Sequence, residues 1–272
     1  MEHRTRRRRP WAGTPRLVAH YVRFNLSAGM AYSTSFLVQV VGMAINNCAF
    51  IVFWIVLFDR VGDDIAGYGF ADVMFLWALA ATGVGIASVV FGNTPRLSRI
   101  VYTGELDVYL LQPKPVLPNV LVSRMMISGW GDLLYGIVLF ALTQEITLGG
   151  TLLFLLFSVL VALIATAVRV LYHCLTFFLG NAEGFAELAG ELVVSFMLYP
   201  GSIFRGPTAW ILHSLIPAAL VAYIPAELFV EFRWSTFLVV LAADAAIVAL
   251  ALIAFRLGLR RYESGNLIGT RM

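Results

Sequence analysis

The chain has 272 residues, of which 60% are hydrophobic and only 13% are charged, and its formal net charge is +3. A water-soluble protein of this composition would expose large contiguous apolar patches, so the composition excludes an ordinary soluble domain. It predicts a protein that lies in a membrane.

The first predicted element is an amphipathic helix that follows a basic N-terminal segment. Attraction to anionic lipid explains the arginine run Arg6 to Arg9 without any nucleic acid. From Thr14 to Asn25, apolar and basic residues separate on two helical faces, which predicts a helix along the inner membrane surface. The two faces are Leu17, Tyr21 and Phe24 against Arg16, His20 and Arg23. We assign residues 1–29 to this tail and helix.

Six long apolar runs follow, and we assign residues 30–272 to one transmembrane domain. A helix needs about 20 apolar residues to cross roughly 30 Å of hydrocarbon, and each run approaches or exceeds that length. Backbone polar groups in lipid must be satisfied within the segment, so the predicted fold is all-α, with six transmembrane helices. The runs are Ala31–Phe58, Phe70–Phe91, Met125–Leu142, Thr151–Leu179, Phe185–Phe204 and Thr236–Leu257.

Basic residues orient these spans. Most of the 19 lysines and arginines lie before the first run, between the second and third runs, or at the end of the sixth. Because positive loops stay inside, both termini are predicted to be cytoplasmic.

The longest cytoplasmic connection, residues 92–124, carries an unusual short sequence. Glu105 to Leu111 can form about two helical turns between Gly104 and Pro113, where proline ends the helix. A short stiff helix here is suited to pass force from a soluble partner into the bundle. A surface loop whose prolines set the starting angle of the third span is the alternative.

Ionisable residues occur inside the fourth and fifth runs. If the chain turns near Asn181, antiparallel packing places His173 near Glu187 and Arg169 near Glu191. Such a cluster predicts either a buried ion-paired clamp or a proton relay.

Two further carboxylates, Asp132 in the third run and Asp244 in the sixth, have no partner in their own helices. Either one is a candidate for lining a polar path through the bundle.

The external segment 205–233 contains apolar stretches too short to span, separated by prolines. Short helices of this kind lie at the interface or re-enter the membrane.

The sequence contains no recognisable catalytic, cofactor-binding or metal-binding motif. The sole lysine, Lys114, stands between Pro113 and Pro115 without a glycine-rich loop, so the chain is predicted not to be an ATPase by itself. Cys48 and Cys174 fall in different runs without metal-ligand spacing.

Three patches resemble type-2 ATP-binding-cassette (ABC) exporter permeases, particularly a bacterial six-span subgroup. They are GELDVYLLQPKP at residues 104–115, IPAALVAYIPAELF at 216–229 and GLRRYESGN at 258–266, the last within the cytoplasmic tail 258–272. The resemblance implies a pair of permease chains, identical or homologous, in the bacterial cytoplasmic membrane. It also implies two separate ATPase subunits, which bind ATP and Mg²⁺.

The resemblance implies roles for individual residues. The cytoplasmic loop becomes a coupling helix that contacts the ATPase through Glu105, Leu106, Asp107, Tyr109 and Leu111. The external segment becomes a gate that includes Pro217, Tyr223 and Pro225. The predicted function is export of a hydrophobic or amphipathic solute. The alternatives are a proton-coupled carrier using Arg169, His173, Glu187 and Glu191, and a membrane scaffold that transports nothing.

Overall fold

The computed structural model describes residues 14–62, 64–65, 67–199 and 223–263. Within these ranges the chain is helical, with no strand beyond an isolated bridge between Ile65 and Tyr68. The predicted all-α fold is therefore confirmed for the described part of the chain. The arginine run at residues 6–9, Pro217 and the tail from residue 264 lie outside the described residues.

The helices fall into three groups along the chain. The first group is α1 (Thr14–Met30), α2 (Ser33–Val61) and α3 (Phe70–Val90). The connection after α3 holds a 3₁₀ turn (Thr94–Arg96), α4 (Leu97–Tyr102), α5 (Leu106–Leu110) and α6 (Val116–Val122). The rest comprises α7 (Gly129–Thr143), α8 (Leu148–Cys174), α9 (Thr176–Leu179), α10 (Glu183–Met197), α11 (Ile224–Val230) and α12 (Trp234–Leu259).

Four described stretches are long and apolar enough to cross a membrane: α2, α3, Leu148–Leu179 and α12. α7 and α10 have 15 residues each, about 22 Å at 1.5 Å per residue, which is shorter than the hydrocarbon layer. The predicted fifth run ends at Phe204, outside the described residues. The membrane character is thus supported by four candidate spans, and the count of six stays a prediction.

α3 lies at the centre of the bundle. Every residue from Val73 to Gly83 is buried, because α3 packs against both α7 and α8. α8 also contacts α10 and α12, whereas α2 contacts the bundle mainly through α7. A helix that is apolar all round is expected at such a central position.

Glycine allows α3 and α7 to approach closely. A Cβ atom at Gly136 would overlap Thr82 Oγ1 and would lie 2.7 Å from the backbone oxygen of Ala78. Small residues commonly permit such close helix packing in membranes. The α3–α7 contact therefore requires a residue without a side chain at position 136.

The described residues form two apolar cores. The larger surrounds α3 and is rich in aromatic rings, among which Phe140 and Phe154 stack at 4.1 Å. The smaller lies at the end of the bundle that carries the 92–124 loop, which we call the loop end. We call this smaller core the loop-end core; its members include Leu97, Ile100, Leu106, Leu117, Val120 and Phe255.

α1 is helical as predicted, and one of its sides packs on the loop end of the bundle. Leu17 and Tyr21 are half-buried, whereas Phe24 is 63% exposed. The packed face instead includes Asn25, which donates a hydrogen bond to the Val122 carbonyl at 3.2 Å. The predicted basic side is exposed: Arg16, His20 and Arg23. The helix also packs on α6, a contact that periodicity does not reveal. Contact of the exposed Phe24 with the membrane surface stays a prediction.

Candidate functional site

The short helix predicted between residues 105 and 111 is present as α5. It begins after Gly104, whose φ of +81° favours glycine, and it ends shortly before Pro113. α5 then rests on the loop-end core through Leu106. The local sequence therefore accounts for both ends of the helix.

The five side chains predicted to contact an ATPase do not share one environment. Leu106 is 0% exposed and belongs to the loop-end core. This corrects the prediction for Leu106, because a fully buried side chain offers no surface to a partner. The physical reason is that a helix resting on a core must bury one side, and Leu106 occupies that side.

The outward side of α5 combines one carboxylate with three aliphatic side chains. The Glu105 side chain is 48% exposed, Val108 is 62% exposed, and Leu111 is 88% exposed. Leu110, 42% exposed, completes this surface, which we call the loop face. Val108 and Leu110 were not among the predicted contact residues. Val108 lies two residues after Leu106, on the opposite side of the helix, so its spacing could have identified it. Leu110 shares the side of Leu106 but stands at the last position of α5, where it is partly exposed.

Asp107 and Tyr109 lie at the sides of α5 and are half-buried. The Tyr109 hydroxyl lies 3.0 Å from Ser123 Oγ, just beyond α6. Burial and the nearby Asp107 carboxylate raise the pKa of Tyr262 to about 12, which places the segment after α12 beside α5. These two residues therefore hold α5 in place rather than forming its outward surface.

A chain of polar contacts supports the other end of the loop. Asn119 on α6 donates to Gln112 at 3.0 Å and accepts a hydrogen bond from the Tyr21 hydroxyl at 3.1 Å. The Lys114 ammonium lies 5.3 Å from the centre of the Tyr21 ring, within range of a cation–π contact. The loop and α1 thus form one braced unit.

The four residues of the predicted ion-pair cluster lie together on the wall of one cavity. Arg169, His173, Glu187 and Glu191 all line a cavity of about 280 Å³ between α8 and α10. Arg169 on α8 and Glu191 on α10 thus lie on the wall of the same cavity. Among the described residues, however, the Arg96–Glu105 contact at 3.9 Å is the only ion pair within 4.0 Å. The predicted closed clamp is therefore not formed.

His173 has a different partner from the one predicted. Its Nδ1 lies 2.8 Å from Ser98 Oγ on α4, and Thr176 donates to the same serine at 2.9 Å. This corrects the predicted His173–Glu187 pair. α4 of the loop packs against α8 and supplies a neutral partner, which the hairpin sequence alone does not show.

The two candidate path-lining carboxylates are both buried. Asp132 is 5% exposed and accepts a hydrogen bond from Asn47 Nδ2 at 2.7 Å. Asp244 is 4% exposed, and its Oδ1 has no hydrogen-bond partner among the described residues. Both side chains thus lie within the packing of this single chain, and the prediction that one of them lines a path in the permease pair stays a prediction.

We expect Asn47→Ala to lower the free energy of unfolding by about 1–3 kcal/mol, because the buried Asp132 carboxyl loses its donor. Thermal unfolding of the purified protein in detergent measures the effect. The neighbouring Asn46 is exposed, so Asn46→Ala is the matched control and should change stability by less than about 0.5 kcal/mol. Equal effects of the two substitutions would show that the Asn47–Asp132 bond does not hold α2 to α7.

The described part of the external segment packs onto the bundle. Tyr223 is 4% exposed and donates a hydrogen bond to the Phe196 carbonyl, while Pro225 lies in the first turn of α11. Beside them is a cavity of about 350 Å³ whose polar lining includes Tyr68 and Glu227. Burial, with the nearby carboxylates of Glu227 and Asp72, raises the pKa of Tyr68.

Comparison with known proteins gives one match. A family model described as "ABC-2 family transporter protein" matches residues 44–266, which is most of the chain. Neither the curated proteins nor the solved structures contain a match.

Proposed function

Because the chain belongs to the ABC-2 family of transporter proteins, we propose that it is the permease subunit of an exporter driven by separate ATPase subunits. Family membership and apolar helices make it an integral membrane protein and the membrane component of an ABC transporter. Export, the number of subunits and the coupling residues are our proposal.

The loop face is the observation that carries the proposal. Val108, Leu110 and Leu111 expose aliphatic side chains on a short helix outside the candidate spans. Exposed apolar side chains grouped on a loop commonly mark a contact with another protein. Glu105 adds one charge at the edge of this surface. A soluble ATPase subunit bound to α5 would cover the three aliphatic side chains. It would place either a polar side chain or water beside Glu105.

The packing behind the loop face supports transmission of force. Leu106, directly beneath, contacts a core that includes Ile100 on α4 and Phe255 on α12. Phe177, after α8, packs edge-on against Phe255 at 5.6 Å. A displacement of α5 would therefore move the ends of α8 and α12 together, because packed cores transmit strain.

We further propose that two permease chains, identical or homologous, enclose the transport path, and that each rests on one ATPase. ATP and Mg²⁺ would be bound by the ATPases and not by this chain. α2 supports a contact with lipid or a second permease, since it carries many exposed apolar side chains that would be unfavourable in water.

The remaining topology is also proposed. α7 and α10 would complete six spans, since a short helix can cross the membrane with little tilt when its flanking residues extend it. Both termini would then be cytoplasmic. The segment with Pro217, Tyr223 and Pro225 would then be an external gate. The Tyr223 contact with Phe196 supports a connection between that segment and the end of α10. The transported solute would be hydrophobic or amphipathic.

The proposal is tested by capture of the ATPase. We expect the tagged permease, extracted from its native membrane in mild detergent, to co-purify with an ATPase subunit and with nucleotide-hydrolysing activity. Leu111→Glu should reduce the captured ATPase at least about tenfold, because a carboxylate would then be buried against the partner. Quantitative mass spectrometry of the captured proteins measures this ratio.

Ile146→Glu is the matched control, since Ile146 is 71% exposed in the α7–α8 connection at the opposite end of the bundle. It should retain the ATPase at the wild-type level. A well-folded permease that captures no ATPase, or one that loses it equally with both substitutions, would contradict the proposal.

A further inference from the structure

An open groove lies between the start of α6 and the last turns of α12, and we call it the α6–α12 groove. Its volume is about 220 Å³. Residues 115–118 form one wall, and Leu252, Phe255, Arg256 and Leu259 form the other. Every residue of these walls is apolar except Arg256, which is exposed. The groove therefore offers an apolar surface with one cation beside it.

The groove lies along a helix that is long and apolar enough to cross a membrane. α12 is one of the four candidate spans, and Arg256 stands in its last turn. Beside the groove, α12 exposes Leu250, Ile253 and Leu257, whose spacing places them on one side of the helix. Lipid chains cover such an apolar side in a membrane, and lipid headgroups lie where the span ends.

The charges at the end of the groove are all positive. Arg260 follows Arg256 by one helical turn, Lys114 immediately precedes Pro115, and all three cationic side chains are exposed. Among the described residues, none of the three has a carboxylate within 4.0 Å. The Lys114 ammonium lies against the Tyr21 ring instead. No acidic residue lines the groove, so its electrostatics favour an anionic headgroup.

We propose that the α6–α12 groove binds one anionic phospholipid from the membrane leaflet at the loop end. One acyl chain fills the groove against Val116 and Leu252, and the other follows the exposed side of α12. Arg256 holds the phosphate, with Arg260 as a further donor. Arginine binds phosphate oxygens through paired, charge-assisted hydrogen bonds, and burial of the acyl chain against apolar side chains adds to the binding.

A lipid in this position would brace the loop against α12. Leu117 and Phe255 line the groove and also belong to the loop-end core. α6 carries Asn119, which donates to Gln112 shortly after α5. The bound lipid would therefore help to fix the loop relative to the last span. The groove is separate from the loop face, so the proposal does not depend on an ATPase partner.

The test uses the permease alone in detergent, with lipids that differ only in the headgroup. We expect dioleoyl phosphatidylglycerol to bind at least about tenfold more tightly than dioleoyl phosphatidylcholine, whose choline cation would stand among three cationic side chains. Native mass spectrometry across a lipid titration measures both dissociation constants and should show about one tightly held phosphatidylglycerol per chain. Glycerol 3-phosphate, which lacks acyl chains, should not bind at the same concentrations.

Three outcomes of this titration would overturn the proposal. Equal binding of the two lipids would show that the groove accepts any amphiphile, detergent included. Tight binding of glycerol 3-phosphate would identify a site for a free anion. A permease pair that binds no phosphatidylglycerol would indicate that a second copy covers the groove.

Substitution of Arg256 locates the site. Arg256→Gln should weaken phosphatidylglycerol binding about tenfold, whereas Arg256→Lys, which keeps the charge, should retain most of it. Arg60→Gln is the matched control, because Arg60 is also an exposed arginine in the last turn of a candidate span but does not line the groove. Since both arginines are exposed, both glutamine variants are expected to fold. Equal effects of Arg256→Gln and Arg60→Gln would reveal diffuse attraction to anionic lipid and would contradict a site at the groove.

Val116→Phe tests the apolar wall. Val116 is half-buried, and a larger ring at this position would occupy space that the acyl chain needs. This variant should weaken the binding of both lipids while its melting temperature shows whether it is folded. A folded Val116→Phe protein with unchanged lipid binding would also overturn the proposal. If it does not fold, the headgroup comparison and Arg256→Gln still decide, and failure of ATPase capture in the earlier experiment would leave their result intact.

Discussion

Leu106→Ala should lower the free energy of unfolding by about 2–5 kcal/mol, the range for truncating a buried leucine in a packed core. Leu106 is 0% exposed and joins α5 to α4 and α12 through the loop-end core. Its truncation removes apolar contacts and leaves a cavity beneath the loop face. Thermal or denaturant unfolding in detergent, followed by tryptophan fluorescence, measures the loss.

Leu111→Ala tests contact with the partner without disturbing the packing of the permease itself. Leu111 is 88% exposed, so its truncation should change the stability of the isolated permease by less than about 0.5 kcal/mol. The same change should weaken ATPase capture, because Leu111 is the most exposed residue of the loop face. If Leu106→Ala were as neutral as Leu111→Ala, the loop-end core would not anchor α5, and the proposed path of force through it would be wrong.

Gly136→Ala should destabilise the bundle by at least about 1–3 kcal/mol, the usual range for overpacking a tight core. The added methyl group would overlap Thr82 Oγ1 and lie 2.7 Å from the Ala78 backbone oxygen. Backbone atoms cannot move aside as the end of a flexible side chain can, so α3 and α7 must separate. The yield of monodisperse protein and its melting temperature measure the effect.

Gly149 provides the control, since no atom lies within 4 Å of the position that its Cβ would take. Gly149→Ala should be neutral or stabilising by up to about 1 kcal/mol, because alanine favours the helix. Both substitutions add the same methyl group to a helix. A Gly136→Ala protein as stable as Gly149→Ala would show that the α3–α7 contact is looser than the structure describes.

The membrane class and the helical fold could be predicted from sequence because each depends on local properties. A long apolar run must bury itself in lipid and must satisfy its own backbone hydrogen bonds, whatever its neighbours are. α5 was also predictable, since Gly104 and Pro113 bound it within the chain. The family model and the resemblance of residues 104–115 indicate the same family, because both depend only on the linear sequence.

Which side of each helix is buried was harder to predict, because burial depends on which other elements pack against that side. Leu106 and Leu111 are both leucines in or beside α5, yet one is buried and the other is the most exposed residue of the loop face. Asn25 gives a second example, since its hydrogen bond to the Val122 carbonyl depends on the packing of α1 against α6.

Composition and neighbouring residues suffice to identify a helical membrane protein with a short proline-bounded helix in its longest loop. The hydrogen-bond partners of the buried polar side chains, in contrast, become visible only in the folded structure. It joined Asn47 to Asp132 and His173 to Ser98, residues that are 85 and 75 positions apart. It also left Arg169 facing two glutamates across a cavity. Such pairings depend on how separate helices approach one another, and that information is spread over the whole packed bundle.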